Sequence, residues 1–100
     1  MERSIHKVNI GNLFDETVRA EMADLLCNDN IIIVTGVSTV GVIKESSDSC
    51  YDYSVFDIDA QWDEDEAAYD ESKFRDGGIC EEGDALDAMN HFLEMIDHED

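Results

Sequence analysis

The residues with the most to offer chemically lie between positions 51 and 71. Tyr51, Tyr53, Asp57 and Asp59 alternate along an apolar run, and Trp62, Asp63, Glu64, Asp65, Glu66, Tyr69, Asp70 and Glu71 follow. In a strand, alternate residues share a face. Tyr51, Tyr53, Val55, Asp57 and Asp59 would then point one way, and Asp52, Ser54, Phe56, Ile58 and Ala60 the other. Residues two apart on a strand sit roughly 6.7 Å apart, which would make Asp57 and Asp59 an evenly spaced row of negative charge. Tyrosines anchor interfaces and acids select a basic partner, so the chemistry on offer is recognition by charge. An ordinary solvated strand face is the plainer alternative. The four consecutive acids Asp63 to Glu66 cannot all be buried, so the stretch 61–76 is expected at the surface as a short helix or a loop. Trp62, Tyr69 and Phe74 are placed to pin it to the body, with Lys73 and Arg75 folding back onto it. It reads either as a solvated loop or as a phosphate-like array aimed at a cationic groove.

Metal and catalytic chemistry fit less well. A calcium loop needs acids at positions 1, 3 and 5, glycine at 6 and glutamate at 12. A start at Asp57 puts Trp62 where glycine is required and Ala68 where glutamate is required; a start at Asp63 puts Ala67 at the fifth position. His6, His91 and His98 with Cys27, Cys50 and Cys80 show no zinc-ligand spacing. Gly36-Val37-Ser38-Thr39-Val40-Gly41 follows an apolar run, but Val42-Ile43 stands where a phosphate loop carries Lys-Ser/Thr, so it reads as a hairpin turn. Glu81 and Glu82 beside Cys80 would blunt that thiol's reactivity. His91, near Asp87 and Glu94 in the sequence, reads as a surface histidine in an acidic field. The expectation is no enzyme, no metal and no cofactor.

The elements that must position these residues can be read from apolar spacing. Phe14, Val18, Met22, Leu25 and Leu26 recur at helical intervals and predict a helix over 13–27, with Asn12 as cap and Asn28-Asp29-Asn30 as stop. Ile31 to Thr35 is β-branched throughout and reads as a strand covered on both faces. Strands over 40–45 and 51–60 follow after short turns, which implies an antiparallel meander. Ser4 to Ile10 can add an edge strand. In the third strand, Phe56 and Ile58 are expected to face the helices. Gly77-Gly78 is expected to turn the chain into a last helix over 84–97, where Ala85, Leu86, Met89, Phe92, Leu93 and Ile96 form one stripe and Asp84 caps. The predicted class is α+β, in the order (β)-α-β-β-β-α: a three- to four-stranded antiparallel sheet with two helices packed on one face, in a single domain spanning 1–100.

Charge sets the boundaries of function. The 100 residues carry 26 Asp and Glu against 6 Lys and Arg, a net charge of −20, where small soluble domains carry about 2 to 8 in magnitude. Residues 57–100 hold −15 of it. Such a surface repels a phosphate backbone and an anionic membrane, which argues against direct nucleic-acid binding and membrane docking. No run approaches the ~20 apolar residues needed to span a bilayer. Met1 to Ile10 lacks the apolar core of a signal peptide. With three unpaired-looking cysteines, the expected location is the cytoplasm of a host cell. High net charge is also a mark of disorder, but 43% apolar residues and the absence of proline favour a folded core.

A small, strongly acidic α+β protein with clustered carboxylates and no catalytic set resembles the DNA-mimic inhibitors of phages and mobile elements, the anti-CRISPR and anti-restriction proteins. The residues carrying the resemblance are Asp57, Asp59, Asp63, Glu64, Asp65, Glu66, Asp70 and Glu71, with Asp84, Asp87 and Glu94 on the last helix. It implies that these acids stand in for phosphates in the basic groove of a partner such as a CRISPR effector, a restriction enzyme or a nuclease, flanked by Tyr51, Tyr53, Trp62 and Tyr69. An immunity or antitoxin protein that plugs a basic nuclease shares this logic. An acidic docking subunit without inhibitory role is a third reading. Self-repulsion between acid faces leaves a monomer or small homo-oligomer as the expected state.

Overall fold

The computed structural model describes residues 4–47, 50–63, 65, 68–80 and 84–99. A strand β1 (Ile5–Asn9) leads through a short helix α1 (Ile10–Leu13) into α2 (Glu16–Cys27). Three strands follow, β2 (Ile31–Thr35), β3 (Thr39–Ser47) and β4 (Cys50–Asp57). Beyond β4 a two-rung hairpin, β5 (Trp62–Asp63) and β6 (Ala68–Tyr69), and a 3-10 turn at Glu71–Lys73 lead to β7 (Phe74–Cys80) and then α3 (Ala85–Glu99). The main sheet has five strands in the order β1-β2-β3-β4-β7, with β1 and β7 at its two rims. β1 runs parallel to β2, with α1 and α2 as the crossover; every other neighbour is antiparallel. The α+β class and the central meander agree with the sequence. The sheet departs from the expected three to four antiparallel strands in two ways: β7 adds a fifth strand, and the edge strand β1 pairs parallel because a helical crossover, not a turn, joins it to β2.

Local chemistry explains where the helices begin and end. The stretch expected as one helix over 13–27 is broken at Phe14-Asp15. Asp15 is extended (φ −75°, ψ 124°), and its carboxylate accepts the Thr17 amide at 2.8 Å, so Asp15 caps α2. Asn12, the expected cap, lies inside α1, whose own cap is Asn9. Phe14 is therefore no part of the α2 stripe and stays 52% exposed. At the other end Asp29 takes φ 62°, and the amides of Asp29 and Asn30 reach back to the carbonyls of Leu26 and Leu25 at 3.3 Å. This is a left-handed stop of the kind that usually uses glycine. Asp84 accepts the Asp87 amide at 2.9 Å ahead of α3, as the sequence indicated.

Both helices press on one face of the sheet. Leu26, Met89, Phe92 and Ile96 close over Ile32, Val34, Ile43 and Val55 in the larger core. Fully burying one such side chain is worth about 1.5–3 kcal/mol, an upper figure because unfolded chains already hide some apolar surface. The opposite face holds a second core of Ile31, Ile33, Val40, Val42, Phe56 and Ala60, and the β5–β6 hairpin lays Trp62 and Tyr69 across it. β2 is thus covered on both faces, as its unbroken apolar run requires. The third strand is turned over relative to the sequence expectation. Tyr51 and Val55 belong to the helix-side core, and Phe56 lies on the hairpin side. Alternation fixes which residues share a face but not which face meets the helices. That choice follows from the hairpin, which supplies an aromatic cover that Phe56 can join.

Gly77-Gly78 is not a turn into the last helix; both residues lie within β7. A Cβ at Gly77 would stand 2.6 Å from the Tyr53 carbonyl oxygen. Glycine there lets the rim strand approach β4, which side-chain periodicity does not reveal.

Candidate partner-binding face

Of the aromatic residues expected to flank a contact surface, Tyr51 is buried, while Tyr53, Trp62 and Tyr69 are half-buried and pack against neighbours within the chain. Tyr51 is 3% exposed and offers no surface to a partner. Tyr53 is half-buried against α3, its hydroxyl 3.2 Å from His91 Nε2 with the rings 5.4 Å apart. His91 remains exposed, now with a defined neighbour on the sheet. On the other side of the sheet, Trp62 meets Tyr69 edge-on at 5.0 Å, and Phe56 meets Tyr69 at 5.5 Å and Phe74 at 5.8 Å. Such tilted and edge-on pairs suit the ring quadrupoles. These rings do pin the 61–76 excursion to the body, which takes the form of a hairpin and a 3-10 turn rather than a helix.

The acids near the hairpin are largely engaged within the chain. β4 ends at Asp57, and Asp59 sits in the turn beyond it, so the two do not form a row on one strand face. Asp57 Oδ1 lies 3.5 Å from Arg75 Nε, and Asp59 Oδ2 lies 3.4 Å from Lys73 Nζ. These are exposed pairs of little energetic weight, but they put two cations beside the two aspartates. Asp63 accepts the Asp65 amide at 2.9 Å, and Asp70 accepts the Ser72 amide at 3.0 Å. The backbone hydrogen bond from Ser72, helped by that residue's side chain, holds the Asp70 carboxyl below the usual aspartate range. Asp65 and Glu71 are exposed; Glu64 and Glu66 lie outside the described residues. Glu81 and Glu82 do too, and with them the acid neighbourhood expected for Cys80.

The helical side is different. Glu16, Glu21 and Asp24 on α2, Asp84 ahead of α3, and Asp87, Glu94 and Asp97 on α3 are all exposed. Both helices lie on the same side of the sheet, so these seven carboxylates share one side of the molecule. Asp87 and Glu94 are two turns apart on their helix, about 10 Å at 1.5 Å per residue. None of the seven forms an ion pair among the described residues. The only Lys or Arg in these helices, Arg19, is drawn inward. Its Nη1 donates to Asn90 Oδ1 at 2.8 Å and its Nη2 to the Phe14 carbonyl at 3.4 Å, while its buried Nε has no hydrogen-bond partner among the described residues. Asp84, Asp87 and Glu94 were candidates from sequence. Glu16, Glu21, Asp24 and Asp97 were not, although each falls off its helix's apolar stripe, and that was the available signal.

No group of three or more His, Cys, Asp or Glu among the described residues is placed to hold a metal ion. No helix among them is long and apolar enough to cross a membrane. No protein-family model, curated protein or solved structure matches this chain.

Proposed function

We propose that this protein is an acidic inhibitor that enters the basic nucleic-acid-binding groove of a partner protein and denies that groove to nucleic acid, in the manner of a DNA mimic. The observation that carries the reading is the helical face: seven exposed carboxylates, with the one arginine among them turned inward. Six of the seven charges sit on two helices that hold them at fixed separations, and Asp84 caps one of those helices. A field of one sign also speeds encounter with a basic partner, with association rates of up to about 10⁸–10⁹ M⁻¹s⁻¹ at low salt.

The test is capture of partners from a host lysate at low salt, followed by elution with duplex nucleic acid and, separately, with rising salt. The proposal expects elution by both, because nucleic acid would compete for the groove and salt screens the exposed charges. Neutralising Glu21, Asp87, Glu94 and Asp97 together, as Gln or Asn, should weaken the complex about tenfold or more at low salt, given about 0.2–1 kcal/mol for each exposed pair. The same neutralisation of Asp63, Glu64, Asp65 and Glu66 reads the contribution of the acid run. A partner that neither nucleic acid nor salt displaces would overturn the proposal.

A further inference from the structure

The α3 stripe has one member that the fold does not bury. Leu86 is 42% exposed, while its neighbours Ala85 and Met89 are 2% and 0% exposed. It stands between two depressions in the seam of α2 and α3. The first, of about 360 Å³, is lined by Glu16, Arg19, Asn90 and Leu86. The second is a shallow, open patch lined by Ala20, Ala23, Asp24, Cys27, Asp84, Ala85 and again Leu86. Small residues on α2 open the seam, and Leu86 supplies an apolar knob beside them. Carboxylates stand at both ends: Glu16 at one, Asp24 and Asp84 at the other. The seam's single cation is held by Asn90 and the Phe14 carbonyl.

We infer that this seam is a docking groove for a cationic amphipathic helix of the partner protein. The inference rests on the basic-partner reading above and adds the geometry of contact. The helix would set an apolar side chain against Leu86 and the Ala20–Ala23 floor, in the helix-in-groove mode. Its arginines or lysines would lay their aliphatic stems along the seam and reach Glu16 and Asp24 with their charged heads. A neutral or acidic helix would leave those carboxylates desolvated and unpaired, so the groove selects a positive ligand.

The experiment is an NMR titration of the intact chain at low salt with two peptides of identical arginine, leucine and alanine composition. One is arranged as an amphipathic helix; the other is scrambled so that it has no apolar face. The groove predicts saturable binding of the amphipathic peptide, with amide shifts centred on Ala20, Ala23, Leu86 and Asn90. Leu86→Ser should weaken that peptide about tenfold and leave the scrambled one unaffected; Asp24→Asn should weaken the amphipathic peptide also. Leu86 and Asp24 are exposed, so both variants keep the core intact. Shifts centred elsewhere, equal binding of the two peptides, or indifference to Leu86→Ser would overturn the groove while leaving the charge-based function standing. Failure of both peptides to bind would likewise overturn the groove, and the capture and elution experiment above decides the charge-based function separately.

Discussion

Tyr51 shows how far the setting of one side chain can depart from its sequence pattern. Read by alternation it belongs beside Asp57 and Asp59 on an open face; in the fold it lies in the helix-side core, and burial, then nearby Cys27, Glu45 and Asp84, push its phenol above the ordinary value of about 10. Burial alone does the same to Tyr69 under the hairpin. In both cases the folded state favours the neutral phenol more than the unfolded chain does. The stability this contributes is complete below about pH 10 and is lost as the pH rises from there toward the folded value. Ultraviolet titration of the phenolates should therefore show a delayed step in the native protein that returns to the ordinary range in denaturant. Tyr51→Phe should remove part of that step and flatten the alkaline loss of stability. A native titration matching the denatured one would show that Tyr51 is open to water.

At the scale of elements, the seating of α3 on the sheet turns on Gly41. A Cβ there would stand 2.5 Å from Ile96 Cδ1 and 2.8 Å from Phe92 Cζ, both in fully buried side chains. Gly41→Ala should cost about 1–3 kcal/mol by overpacking, read as a lower Tm in thermal unfolding. Gly78→Ala, where the nearest atom is Tyr53 Oη at an ordinary 3.5 Å, is the comparison expected to change little. The elements legible in the sequence were those whose own residues carry the signal. β2 is apolar throughout, α3 has its stripe and the Asp84 cap, and the short links of β2, β3 and β4 force a meander. The elements that were missed depend on partners distant in sequence. β7 reads Phe-Arg-Asp-Gly-Gly, a turn by composition, and becomes a strand because β4 lies alongside. The facing of β4 depends on which side the hairpin covers. The break between α1 and α2 depends on Asp15 outcompeting Asn12 for the cap, a difference of one turn that apolar spacing does not resolve. The candidate site was legible to the same degree: the acid excess was plain, but its sorting into helical carboxylates and hairpin aspartates beside Lys73 and Arg75 required the fold.

For the whole molecule, a net charge of −20 is held within a Cα radius of gyration of 12.2 Å. Read along the chain, the imbalance concentrates after residue 57. Read in space, three of the seven helical carboxylates come from α2, in the less acidic half. The helical-side carboxylates are therefore drawn from both halves of the chain, and a second group of acids lies around the hairpin on the other face of the sheet. The same charge bears on the two rims of the sheet. Among the described residues β1 and β7 each have a strand neighbour on one side only, and β7 carries two adjacent glycines. Rims of this kind template strand-to-strand stacking between copies, and natural proteins guard against it. With a net charge of −20, mutual repulsion of the copies would act as such a guard, and protonation of the carboxylates would remove it. Near pH 4, where the sequence pI of about 4.1 lies, the protein should gather into β-rich aggregates that bind thioflavin T, and should stay dispersed at pH 7. The acid surface would then be the reason a sheet with two rim strands can exist as separate molecules.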